Sequence, residues 1–219
     1  MNPLALLGLG LLLGLRHASD PDHIVAVSAI AARTRRVIPA MVLGIVWGLG
    51  HMLTLFVVGA GIIVFNWIVP PRLGLAMEFC VALALVVVGL LNLHRPPGVR
   101  SGLEVDVGRP PARRAFVVGL VHGLAGSAAI ALLVLATVRD RRLACGYLVV
   151  FGLGTLLGMT LITTGFAMPV AAAAQRWGGA GRVIRISTGA LSLAFGTWLA
   201  YHIGWREGLF LATPNWTPR

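Results

Sequence analysis

GLRHASDPDHI, residues 14–24, is the stretch that decides how the first part of this chain is folded. It holds His17, Asp20, Asp22 and His23 between two strongly apolar runs. Charged and imidazole side chains are costly at membrane depth and usually mark an ion or substrate pathway. Imidazole and carboxylate together suit a divalent first-row metal such as nickel, cobalt or zinc. The stretch therefore predicts that a metal ion meets this protein inside a membrane.

The composition indicates a polytopic membrane protein. Of the 219 residues, 58% are hydrophobic and 11% are charged, and the mean hydropathy is +0.88. Soluble domains carry about 25% charged residues. The length allows roughly six or seven spans of about 20 residues with short loops, and it leaves no space for a second soluble domain. We expect an all-α protein of the bacterial cytoplasmic (inner) membrane, surrounded by lipid.

The charge pattern argues against nucleic-acid binding. The net charge is +11, and all 18 basic residues are arginines. These arginines fall between the apolar segments, where they act as loop anchors that set membrane orientation. The two cysteines, Cys80 and Cys145, lie in apolar runs, so we interpret both as core residues rather than as a disulfide framework.

Six membrane segments are predicted, and the first is broken near Asp20-Pro21. The predicted segments are residues 3–32, 37–65, 73–94, 114–138, 143–174 and 182–205.

A weak internal repeat divides these segments into two groups of three. GLRHA at 14–18 resembles GLVHG at 119–123, and WGLGH at 47–51 resembles FGLGT at 151–155. An odd number of spans in each repeat places the two halves in opposite orientations, as in many secondary transporters with a central site. The expected divisions of this single transmembrane domain are repeat one at 1–94, a loop at 95–113, repeat two at 114–205 and a tail at 206–219.

The break in the first segment brings its polar residues together. On an unbroken helix, His17 and Asp22 lie about 140° apart, and His23 lies about 120° away on the other side. Ser19 or Asp20 is a suitable helix cap, and Pro21 is a suitable first residue of a second helix. The alternative is that the SDPD segment is simply an exposed loop after a short first span.

Two further histidines lie inside predicted spans. His51, in GIVWGLGHMLTL, is either a metal ligand or a polar contact between helices, and its repeat counterpart is Thr155. His122, in GLVHGLAGSAAI, occupies the repeat position of His17. It has either a role in the site or pathway or a structural hydrogen bond to a carbonyl.

Hydroxyl groups are candidates for the lining of an ion pathway. They are concentrated in GMTLITTG, residues 158–165, although threonine hydroxyls also bond their own helix backbone. The candidate pathway-lining residues are Asp20, Ser127, Thr155, Thr160 and Thr163.

These motifs together resemble the nickel/cobalt transporter family of permeases. The main family signature is H-x4-D-H within RHA-x-D-x-DHI, and RHASDPDHI at 16–24 matches it. LGH at 49–51 matches a second motif. GMTL at 158–161, with the threonines that follow, partly matches the third, GM-x-L-x-D-T, whose aspartate is Thr163 here. The family motif LGFDTATE is replaced by HGLAGSAA at 122–129, which resembles the urease-associated permease branch.

The resemblance implies a metal site and a transport function. It assigns His17, Asp22, His23 and His51 to the site, and the repeat adds His122. The leading hypothesis is a secondary-type permease that carries a divalent metal, nickel or cobalt, with no resident cofactor and no enzymatic activity. An efflux protein of the same fold is an alternative.

Two other classes of protein are weaker alternatives. A membrane b-type haem protein would use His51 and His122 as axial ligands. An intramembrane metallohydrolase ranks last, because the HExxH spacing of a zinc protease helix is missing.

Overall fold

The structure is a computed structural model that describes residues 2–32, 36–65, 69–94, 110–123, 134–135, 137–138, 140–177 and 179–216. Within these residues the chain is helical and has no strand. The helices are α1 Pro3–Ala18, α2 Pro21–Ala31, α3 Val37–Phe65, α4 Pro71–Leu93, α5 Pro110–His122, α6 Arg141–Arg176 and α7 Ala180–Tyr201, followed by a π-helical turn at His202–Arg206.

The predicted break in the first segment is present between α1 and α2. The Asn2 side chain accepts a hydrogen bond from the Leu4 N–H and begins α1. At the other end, the Ser19 N–H donates to a carbonyl of the last α1 turn, and the chain becomes extended at Asp20. Pro21 then begins α2, because its fixed φ suits the first position of a helix.

Among the described residues, four helices, α3, α4, α6 and α7, are long and apolar enough to cross a membrane. Large apolar side chains also face outward, for example Leu4 and Phe65 at 77% and 80% exposure. These features support a multi-pass membrane protein. Helix α3 has the predicted bounds of the second segment, whereas much of the predicted fourth segment, beyond residue 123, lies outside the described residues.

Helices α1 and α6 lie side by side and run in the same direction. A Cβ atom on Gly14 would lie 2.2 Å from the Phe151 carbonyl oxygen, and one on Gly154 would lie 2.7 Å from that of Leu11. The two backbones therefore touch directly. Only glycine at these positions permits this approach.

Helices α3 and α5 form an equivalent parallel pair. A Cβ atom on Gly119 would lie 2.1 Å from the Trp47 carbonyl oxygen, and one on Gly50 would lie 2.3 Å from that of Phe116. Helix α3 also packs along α6 in the opposite direction, so α1, α3, α5 and α6 form one four-helix group.

Helices α4 and α7 form a second group, and α2 packs against both groups, contacting α6 as well as α4 and α7. Helices α4 and α7 pack antiparallel along their length, and the Ser192 hydroxyl donates to the Leu85 carbonyl. The buried Asn92 side chain of α4 donates to the Ala29 carbonyl near the end of α2. The break at Ser19-Asp20 thus joins α1, in the first group, to α2, which lies between the two groups.

The C-terminal segment folds back onto the start of α4. The Trp216 indole N–H donates to the Glu78 carboxylate at 2.7 Å, and its ring lies against Gly74. This contact fixes the tail at the end of the bundle where α4 begins.

Candidate metal centre

Three buried histidines come together from three different helices. His17 lies in the last turn of α1, His23 in the first turn of α2 and His51 in the middle of α3. They are 3%, 0% and 0% exposed. The break at Asp20 makes this possible, because it lets His23 turn back toward His17 on the preceding helix.

The nitrogen atoms of these histidines converge. His17 Nε2 and His51 Nε2 are 2.8 Å apart, and the ring centroid of His23 is 4.7 Å from that of His17 and 5.1 Å from that of His51. One ring nitrogen from each residue lies within 4.8 Å of the other two. Three imidazoles in this arrangement form a donor set suited to a divalent transition metal.

Two aspartates lie behind the histidines. The Asp20 carboxylate is 3.3 Å from His17 Nδ1, and the Asp22 carboxylate is 3.1 Å from His23 Nδ1. A carboxylate beside one ring nitrogen fixes the tautomer and leaves the other nitrogen to act as a ligand. The Asp22 carboxylate is therefore in a position to orient His23.

His122 extends the buried cluster on the side of Asp22. Its Nε2 lies 3.6 Å from Asp22 Oδ2, and its ring packs against His23 and Trp47 with centroid separations of 5.1 and 5.5 Å. His122 therefore adjoins the three-histidine group without belonging to it.

Several buried polar atoms at the site have no hydrogen-bond partner among the described residues. They are His23 Nε2, Trp47 Nε1, His51 Nδ1 and both ring nitrogens of His122. Buried polar groups in proteins are almost always satisfied, so such a concentration requires an explanation. A metal ion with its remaining waters would satisfy nitrogens of this kind.

The predicted pathway threonines bond their own helix. The hydroxyls of Thr155, Thr160 and Thr163 donate to the carbonyls four residues earlier, at 3.0, 2.8 and 2.6 Å. Bonding to their own helix backbone is the alternative to lining a pathway that the sequence left open for the threonines of residues 158–165. Thr155 and Thr163 are buried, and Thr163 packs against Gly44 of α3. Ser127 lies outside the described residues.

Trp47 is a neighbour of the site that the sequence motifs did not identify. It lies one turn before His51 on α3, and its ring packs against those of His23 and His122. The available signal was its position in the motif WGLGH, four residues before a histidine in the same span.

The chain is similar to a curated protein along almost its whole length. It is 35% identical to the urease accessory protein UreH of Bacillus sp. (strain TB-90), over 94% of this chain and 95% of the relative. The similarity is thus not confined to one shared segment. No protein-family model and no solved structure matches the chain.

Proposed function

Because the chain belongs to the family of the urease accessory protein UreH, we propose that it is a secondary-type permease for a divalent transition metal, nickel or cobalt. The observation that carries the proposal is the buried group of His17, His23 and His51 within an apolar helical protein. The resemblance to the urease-associated branch of the nickel/cobalt transporters favours nickel.

The three histidines would hold the ion, and the two aspartates would orient them. A carboxylate that accepts the Nδ1–H of an imidazole leaves the Nε2 lone pair available to a metal. Asp20 is positioned to do this for His17, and Asp22 for His23. Entry of the ion would also replace the hydrogen bond between His17 and His51, because both Nε2 atoms then become ligands. His122 completes the buried surroundings of the ion.

We further propose that the chain is built from two inverted repeats of three spans. Helices α1, α3 and α4 run opposite to their counterparts α5, α6 and α7, whereas most of the counterpart of α2 lies outside the described residues. The close glycine contacts recur when the halves are exchanged. The matched contacts are Gly14–Phe151 with Gly119–Trp47, Gly50–Phe116 with Gly154–Leu11, and Gly89–Leu193 with Gly196–Val86. This arrangement favours transport by rocking of one group of helices against the other around a central site.

The division of the site between two helix groups suggests how the ion is released. His17 and His51 belong to the group of α1, α3, α5 and α6, whereas His23 and Asp22 belong to α2. Helix α2 packs against α6 and is also tied to α4 by the hydrogen bond from Asn92. Movement of one group relative to the other would separate His23 from the other two ligands. The hinge would be the break at Ser19-Asp20.

Flux through the purified protein tests this function. Proteoliposomes that contain the protein are expected to accumulate radioactive nickel faster than empty liposomes, and competition with cobalt and zinc would establish the preference. Reversing the gradient would distinguish an importer from an efflux protein. Equal nickel accumulation in protein-containing and empty liposomes would contradict the proposal.

The carboxylates give a second, more local prediction. Asp20→Asn and Asp22→Asn should each weaken nickel binding by about 10–100-fold, because loss of an orienting carboxylate has this effect at other metal sites. Isothermal titration in detergent measures the change. Asp140→Asn is the matched control: Asp140 caps α6 away from the site, and asparagine caps equally well. Unchanged affinity in both site variants would contradict the orienting role.

The haem alternative has less support. His51 and His122 would have to lie on opposite faces of the haem, but the His23 ring contacts both of theirs, with centroid separations of 5.1 Å in each case. A Soret band in the purified protein would favour the haem protein over the permease.

A further inference from the structure

Tyr147 carries a buried hydroxyl that the proposed site does not use. The residue lies on α6 and is 1% exposed, and its oxygen has no hydrogen-bond partner among the described residues. A buried hydroxyl without a hydrogen-bond partner destabilises the folded protein. In a bilayer the surroundings provide no water to offset this cost. The hydroxyl therefore requires a hydrogen-bond partner other than the described residues, such as water.

The surroundings of Tyr147 are apolar. Its ring packs in a cluster of buried residues and against Gly10 of α1, where a Cβ atom would lie 3.0 Å from the phenol ring. The other buried members of this cluster are Leu6, Leu55, Leu135, Ala144, Leu148 and Phe151. None of these side chains can accept or donate a hydrogen bond.

A row of aromatic rings connects Tyr147 to the metal centre. The rings of Tyr147 and Phe151 are stacked, with centroids 6.4 Å apart, and the Phe151 ring lies 5.7 Å from the imidazole of His17. Tyr147 is one turn nearer than Phe151 to the start of α6, and α1 begins at the same end because the two helices are parallel. Tyr147 thus lies between that end of the bundle and the three histidines.

The unpartnered polar atoms are confined to this row and the site. Six buried side-chain nitrogen or oxygen atoms lack a partner among the described residues, and all but the Tyr147 oxygen belong to His23, Trp47, His51 and His122. Among the described residues, the Tyr147 hydroxyl is therefore the one such atom outside the metal centre. Water that extends outward from the site would satisfy it.

We propose that Tyr147 lines the aqueous route by which a hydrated divalent cation passes between the three-histidine site and the end of the bundle where α1 and α6 begin. This inference rests on the proposed function. The phenol oxygen would accept hydrogen bonds from water bound to the cation, and the O–H would donate to water in the route. The position related to Tyr147 by the repeat is Leu43 on α3, which is buried and apolar, so the hydroxyl serves one end of the pathway.

Accessibility to a charged thiol reagent tests the route without using metal transport. In a Cys80→Ser/Cys145→Ser background, the Tyr147→Cys variant should react with a membrane-impermeant, positively charged methanethiosulfonate. Leu55→Cys is the matched control, because Leu55 is also 1% exposed and lies in the same cluster. The control should stay unmodified. An unreactive residue 147, or equal reactivity at both positions, would overturn the proposal.

The Tyr147→Phe variant tests the hydroxyl itself, and Tyr201→Phe, at an exposed position on α7, is its control. We expect a several-fold slower nickel flux for Tyr147→Phe, with unchanged equilibrium affinity for nickel. A simple buried hydroxyl would give a higher melting temperature with unchanged flux, and that result would overturn the proposal. If the thiol at residue 147 reacts but the unmodified protein neither binds nor transports nickel, the aqueous route stands and the permease function is wrong.

Discussion

Replacement of His51 by alanine is expected to weaken nickel binding by more than about 100-fold, beyond the 10–100-fold typical for loss of an orienting partner. His51 is fully buried on α3, and its Nε2 lies 2.8 Å from that of His17. The substitution removes one of three converging imidazoles, and the two that remain leave the ion under-coordinated. Isothermal titration in detergent measures binding, and proteoliposome flux measures the accompanying loss of transport.

The exposed His94, at the end of α4, provides the matched control. His94→Ala removes an imidazole outside the cluster and should bind and transport nickel like the unmodified protein. Thermal unfolding of both variants would verify that each is folded. Retention of nickel affinity by a folded His51→Ala variant would contradict the assignment of His51 as a ligand.

The second large effect is expected at the glycines where helix backbones touch. Gly14→Ala would place a methyl group 2.2 Å from the Phe151 carbonyl oxygen on the neighbouring helix, and Gly119→Ala would place one 2.1 Å from that of Trp47. Backbone cannot yield as a flexible side chain does, so the helices must separate. We expect each substitution to lower the free energy of unfolding by about 3 kcal/mol or more. This corresponds to a fall of roughly 10 °C in the melting temperature.

Two other glycines serve as controls for the same substitution. A Cβ atom added to Gly8, on α1, or to Gly165, on α6, would meet no atom of a neighbouring element within 4 Å. Gly8→Ala and Gly165→Ala should leave the protein as stable or slightly more stable, because alanine favours helix by up to about 1 kcal/mol. The inverted repeat adds the expectation of similar losses at Gly14 and Gly119. A tolerated alanine at both positions would contradict the close packing of these helix pairs.

Local signals were sufficient to predict the break in the first segment. Proline disfavours helical conformation in the residue before it and suits the first position of a new helix, so Asp20-Pro21 separates two helices. Asp20 takes the N-cap position of α2 without a side-chain capping hydrogen bond. Asp20 and Pro21 therefore carried the prediction by themselves. The bounds of α3 were predictable for a similar reason, because its largely apolar run lies between the arginine-rich RTRR at 33–36 and the proline-containing NWIVPP at 66–71.

The partners of each polar side chain depended on tertiary structure. The motif placed Asp22 in the metal site together with the histidines, and this stays a prediction. The structure adds that the Asp22 carboxylate lies against His23 Nδ1 and faces His122 from another helix. Nothing in the local sequence distinguishes a ligand from a group that orients one. The sequence motifs did not single out Tyr147, because it lies in an apolar run where tyrosine is an ordinary core residue. Only the structure shows that its hydroxyl has no partner among the described residues.

X-ray absorption at the nickel edge tests the central claim most directly, because it identifies the ligand atoms of the bound ion. For nickel bound to the purified protein, we predict a first shell that contains three imidazole nitrogens, from His17, His23 and His51. The His23→Ala variant, where it still retains nickel, should lose one of them. A first shell of oxygen atoms without imidazole scattering would contradict a metal site built on these three histidines.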